Sequence, residues 1–247
     1  VASRRSEAGE QHPGQALSAL AEVGIPLTQT AISGHRTFCV SDLVDECADS
    51  FGFDEEIEWR SVALALYRPQ MRQWKNRHGD VVSFDVIAKE LLRRTRTRGS
   101  IEHACWGTHS LYALAMLLSV DATVPLWQDR SVGSQVDSAL RKVGERLAQS
   151  QLGDGSWDEN WELPTLAHGG TSMDDWQRLL ITGHHLEWLA LIPSGLRPPD
   201  RVLLLAGEFI LRTVFEVRSD ELVKQICPCS HGLRAFGIAG IQIVDHH

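Results

Sequence analysis

A chain of 247 residues, 43% hydrophobic and 23% charged, can bury one sizeable core and has the composition of a globular protein. Its formal net charge of −8 argues against nucleic acid as the main partner, because phosphate binding needs a basic surface. No apolar run approaches the roughly 20 residues of a membrane span.

Residues 1–12 are polar and are expected to be flexible, followed by one domain over residues 13–247. Gln15 to Val23 predicts a short helix stopped by Gly24 and Pro26. Ser41 can cap a second helix running to Phe51, with Asp42 at the favourable end of its dipole. Asp54, Glu55 and Glu56 open a third, whose apolar face carries Ile57, Val62, Leu64 and Leu66 and which Pro69 closes. Trp74 to Asp80 is a polar loop, either a pocket rim or a simple connection. Ser83 caps a helix with Ile87, Leu91 and Leu92, and Arg93, Arg94, Arg96 and Arg98 follow as cations suited to a helix C-terminus.

Next come a nearly all-apolar stretch, His103 to Val120, and an amphipathic one, Ser134 to Gln151. Asp175 to Ile192 is again strongly apolar, and Pro199 launches Asp200 to Val217. Ser219 to Gln225 is short, and Ser230 to Ile243 is apolar and rich in small residues. That makes about ten helices and no convincing alternating strand longer than four residues; Val81 to Phe84 is the best strand candidate, and a helix start explains it equally well. Apolar helices alternating with amphipathic ones imply an inner layer covered on both sides and an outer layer facing water. The fold class is all-α.

The string Gln149 to Trp161 contains Leu147-x3-Gln151-x3-Gly155-x-Trp157 at the end of the amphipathic run. It resembles the QW repeat of the squalene cyclase and prenyltransferase-like family. That resemblance implies an α/α toroid, complete or partial, of paired inner and outer helices. It also implies that Gln151 and Trp157 clamp helices together. Terpenoid cyclisation does not carry over, because the acidic motif of one cyclase class is reduced here to Asp174-Asp175 and that of the other is absent.

Gly183-His184-His185-Leu186-Glu187-Trp188 is similar to a segment of the N-acylglucosamine 2-epimerase family, another α/α toroid. The resemblance implies that His184 is a general acid/base, with Glu187 on the same helix face to orient it. A buried hydrogen-bonded pair of purely structural role is the alternative. Cys105 and His109 are spaced to share one helix face, and Cys229 and His231 open the last apolar helix. Thiolate and imidazole ligands suit zinc. Toroids resembling the protein prenyltransferases and lanthionine cyclases hold zinc at their centre, although Cys229-Ser230-His231-Gly232 carries an extra Ser relative to the latter's Cys-His-Gly. Ordinary core thiols are the competing reading.

Five cysteines, odd in number and scattered, do not make a disulfide framework. Reduced thiols favour the cytoplasm, while a chain beginning at Val1 leaves an upstream signal or anchor open. The expected function is acid/base or zinc-assisted chemistry on a small isoprenoid or sugar-like ligand in a central cavity. The sequence leaves open a noncatalytic scaffold binding a peptide or protein partner in its concave face.

Overall fold

The computed structural model describes residues 12–96, 104–163, 171–216 and 225–239. Among them are nine α-helices and two small antiparallel hairpins. In chain order these are α1 (Gln15–Glu22), β1 (Thr30–Ser33), β2 (Arg36–Cys39), α2 (Val40–Asp49), α3 (Glu58–Tyr67), β3 (Gln73–Lys75), β4 (Val81–Ser83) and α4 (Phe84–Arg94). There follow α5 (Thr108–Asp121), α6 (Arg130–Ser150), α7 (Asp175–Leu191), α8 (Asp200–Phe215) and α9 (Ile226–Ile238). None of these helices is long and apolar enough to cross a membrane.

Local chemistry sets several boundaries. Ser83 accepts the Val86 N–H at 3.3 Å and starts α4. Asp174 and Gln177 exchange side-chain and backbone bonds at 2.9 and 3.2 Å, a capping box that starts α7. Pro199 precedes α8, where its missing N–H costs nothing. At α2 the cap is Cys39, two residues before Ser41, and the Asp42 carboxylate accepts the Cys39 N–H at 2.7 Å.

The hairpins are the main departure from an all-helical reading. Val81 to Ser83 pairs with Gln73 to Lys75 and then runs directly into α4, so the string is both strand and helix start. The Trp74 to Asp80 loop is closed by Asn76, whose Oδ1 accepts the N–H groups of His78 and Asp80. The other hairpin pairs Thr30 with Cys39. Its strands of four residues are too short to show an alternating pattern, and Ile32 remains 76% exposed.

Helix packing alternates along the chain. The odd-numbered helices form a series, α1 on α3, α3 on α5, α5 on α7 and α7 on α9. The even-numbered helices lie against them, with α2 on α3, α4 and α6 on α5, and α8 on α7. Burial follows this order. Residues Thr108 to Leu117 of α5 are all buried, whereas α6 buries a stripe of Val132, Val136, Leu140 and Leu147.

The Gln151 to Trp157 turn ties three helices. Gln151 Nε2 donates to the carbonyls of Gly155 at 3.0 Å and Val202 at 2.7 Å. Trp157 Nε1 donates to the Leu147 carbonyl at 3.0 Å, and the Trp157 N–H donates to Thr182 Oγ1 at 3.0 Å. Gly155 has φ of 94°, and a Cβ there would lie 2.2 Å from the Leu205 carbonyl oxygen, so only glycine fits. The turn thus bonds α6, α7 and α8 to one another.

A single helix from His103 to Val120 is not what forms. Cys105, Trp106 and Gly107 take left-handed φ values of 49°, 56° and 80°, and α5 starts only at Thr108. Cys105 and His109 therefore do not share a continuous helix face. The last helix starts earlier than expected, at Ile226, and so includes Cys227 and Cys229. The predicted flexible segment, apart from His12, and the short helix from Ser219, apart from Gln225, lie outside the described residues.

Candidate functional site

Four histidines stand in a row where α1, α3, α5, α7 and α9 approach one another. Ring centroids are 4.7 Å apart from His12 to His109, 5.0 Å from His109 to His184 and 3.9 Å from His184 to His231. Two glutamates back this row. Glu56, just before α3, receives Nδ1 of His12 and Nδ1 of His109, each at 2.7 Å. Glu187, one turn beyond His184 on α7, receives Nδ1 of His184 at 3.0 Å and Nδ1 of His231 at 3.0 Å.

An ionised carboxylate only accepts, so each of the four Nδ1 atoms carries the proton. Each Nε2 is then turned to the other edge of its ring. The Nε2 atoms of His109 and His184 are buried and meet no hydrogen-bond partner among the described residues. Leaving a polar atom unpaired in such surroundings is costly, and His185 Nε2 is in the same state.

Charge is sorted sharply within the cluster. Burial pushes the His184 imidazole down to about 3, and the charge on His231 adds to this. His231 moves the other way, up to about 9, because the Cys227 thiol and Glu187 outweigh its burial. Burial works to raise the Glu187 carboxyl, and the hydrogen bonds from His184 and His231 hold it far below the usual range. Glu56, likewise against burial, falls to about 2 through His109 and His12. The metal-free cluster therefore holds two carboxylates, a neutral His184 and a cationic His231.

Arg234 completes the counter-charge. It donates to Glu187 Oε1 at 2.8 Å and to the Tyr112 hydroxyl at 2.6 Å, and it also pairs with Glu22 of α1. These bonds link α9 to α7, α5 and α1.

Cys105 sits at the same centre. Its left-handed turn brings Sγ into a group with His12 and His109 whose ligand atoms lie within 4.8 Å of one another. Burial, then the charges of Cys227, Glu56 and Glu187, push its thiol up to about 12. His184, Glu187 and His231 form a second group within the same limit. Cys229 is placed elsewhere, in an apolar cluster with Leu179, Phe209, Ile210 and Phe236. Helical geometry explains this, since residues two apart on a helix face nearly opposite ways while residues four apart share a face. Cys227, four before His231, hydrogen-bonds that ring and its thiol pKa is lowered.

Of the residues singled out from the sequence, Cys105, His109, His184, Glu187 and His231 converge, and Cys229 does not. His12, Glu56 and Cys227 join them without having been picked out. Glu56 lies in an acidic run that reads as a helix start, and His12 in a polar segment, so neither carries a local signature. The neighbouring His185 faces the other way, its ring edge-on to Trp157 and Trp161, and its Nδ1 accepts from Trp188 Nε1 at 3.1 Å. That histidine belongs to the packing behind the Gln151 turn.

A thiol with several imidazoles, each held at Nδ1 by a carboxylate or equivalent acceptor, is a donor set that suits zinc. Compared with models of protein families, with characterised proteins and with solved structures, the chain shows no match.

Proposed function

We propose that the chain is an α/α toroid, complete or partial, whose inner helices hold a zinc-assisted catalytic centre for a small oxygen-bearing ligand. The ion pair between Arg234 of α9 and Glu22 of α1 supports closure, because it joins the last inner helix to the first. The observation that carries the metal reading is the pairing of every Nδ1 with Glu56 or Glu187, which leaves the Nε2 atoms of His109 and His184 buried and free.

His109, His184 and Cys105 are the ligands in this reading, with His12 and His231 beside them. Glu56 and Glu187 orient the rings and raise their basicity. A zinc ion supplies Lewis-acid polarisation of an oxygen on the ligand. Arg234 and the Tyr112 hydroxyl, held together at 2.6 Å, stand next to Glu187 and make the edge of the centre polar, which favours a sugar-like or otherwise oxygenated ligand over a hydrocarbon isoprenoid.

Metal analysis of protein purified without a polyhistidine tag tests this. Zinc at about one equivalent or more is expected, with loss of metal in folded His184→Ala. Cobalt substitution then separates catalysis from a structural role. Azide or a hydroxamate should shift the cobalt absorption bands if a coordination position is open. Less than about 0.2 equivalents after growth in zinc removes the metal reading. Bound cobalt whose spectrum ignores added anions marks a closed structural site.

A further inference from the structure

We infer that the centre holds two divalent ions, one in each glutamate-backed half of the histidine row. This rests on the zinc reading above and deepens it. The first half is His12, Cys105 and His109, whose ligand atoms lie within 4.8 Å of one another, with Glu56 fixing both rings at 2.7 Å. The second is His184 and His231, grouped within the same distance and fixed by Glu187, with Cys227 beside His231.

The halves repeat one design. Each has two imidazoles whose Nδ1 atoms share one carboxylate, and a cysteine alongside. Each also contains one buried Nε2 that no described residue satisfies, His109 in the first and His184 in the second. A single zinc takes four ligands at about 2.0 to 2.3 Å. Four imidazoles and two thiols exceed that number. The outer rings, His12 and His231, are moreover separated by the two inner ones.

The halves touch through His109 and His184, whose centroids are 5.0 Å apart. Ions held by His109 and His184 would thus sit on adjacent rings, the setting in which two-metal sites share a bridging ligand at about 3.5 to 4 Å. The zinc class follows from the donors, since thiol and imidazole exclude the hard, oxygen-seeking cations.

The test is stoichiometry on the full chain, stripped by chelator and titrated with zinc, then with cobalt. Saturation at about two equivalents is expected, falling to about one in His12→Ala and in Cys105→Ser. In the fully loaded cobalt protein, electron paramagnetic resonance should show a signal weakened by coupling between neighbouring ions. Saturation of the wild type at one equivalent, lost in His109→Ala and His184→Ala alike, overturns the two-ion inference and leaves the zinc reading standing. Absence of binding overturns both. Two equivalents retained in His12→Ala overturn the first half as drawn. Should Cys105→Ser fail to fold, the wild-type stoichiometry and the cobalt coupling decide without it.

Discussion

The rings of His184 and His231 stand 3.9 Å apart between centroids, although 46 residues separate them in the chain. The glycines next to them make this possible. A Cβ on Gly183 would lie 2.7 Å from the backbone nitrogen of Gly232, so α7 and α9 meet backbone to backbone at that point. A larger residue at Gly183 separates the helices and pulls His231 away from Glu187, whereas one at Gly232 meets the Ile210 side chain of α8 at 2.9 Å.

Gly183→Ala is therefore expected to be harmful although alanine favours helices. Forcing α7 from α9 costs about 1 to 3 kcal/mol by overpacking. Zinc content should fall with it. Denaturant unfolding and metal analysis on the same preparation check both. A variant of unchanged stability and full metal content would contradict the close approach.

Glu187→Gln removes the anion that holds His184, His231 and Arg234. Arg234 keeps its pair with Glu22, so losing its charged bond to Glu187 costs about 1.5 to 3 kcal/mol. Loss of the carboxylate behind the histidines should also weaken metal binding roughly 10- to 100-fold. Chelator competition measures the second effect separately from the first. His184→Ala, by contrast, should lower metal content with a smaller loss of stability, because it leaves the Glu187 pair with Arg234 in place.

The metal-free protein should be most stable near pH 6.5. His231 is raised from 6.5 to about 9, so its stabilising effect is complete below pH 6.5 and is lost as pH rises through 9. His184 and His185 are lowered from 6.5 to about 3, so the unfolded chain takes up their protons first, and stability falls as pH drops from 6.5 towards 3. Urea midpoints across pH 4 to 10 test the shape. His231→Gln should flatten the alkaline side and, by removing a charge that helps depress His184, also change the acid side.

Metal uptake should release protons. At pH 7.5 the Cys105 thiol, pushed up to about 12, and, in the two-ion centre, the His231 imidazolium, up to about 9, must both give one up to become ligands. Release measured with an indicator dye should decline above pH 9, where His231 is already neutral. A release independent of pH would remove His231 from the ligand set.

Trp157→Phe serves as a control at the outer turn. It loses the Nε1 bond to Leu147 and some volume, a cost of about 1 to 3 kcal/mol, with metal content unchanged. Loss of metal there would mean that the clamp transmits to the centre through His185.

Alternating apolar and amphipathic runs determined a helical protein in layers, since helix period and burial on one or both sides are written residue by residue. The Gln151 to Trp157 turn was legible only in its local part, the Gln151 bond to Gly155 and the Trp157 bond to Leu147, while its bonds to Val202 and Thr182 are long-range. His184 and Glu187 were visible as charged groups in an apolar helix, where a partner or a role is required. The convergence of the site was not legible. His12 and Glu56 are brought to His109 by packing of α1, α3 and α5, a relationship between residues more than 40 positions apart. Which cysteine faces His231 depended on where α9 begins, and the left-handed turn at Cys105 replaced the helix that its spacing suggested. Periodicity is local and was enough to decide the layers, whereas the ligand set is made of long-range contacts that only the tertiary packing decided.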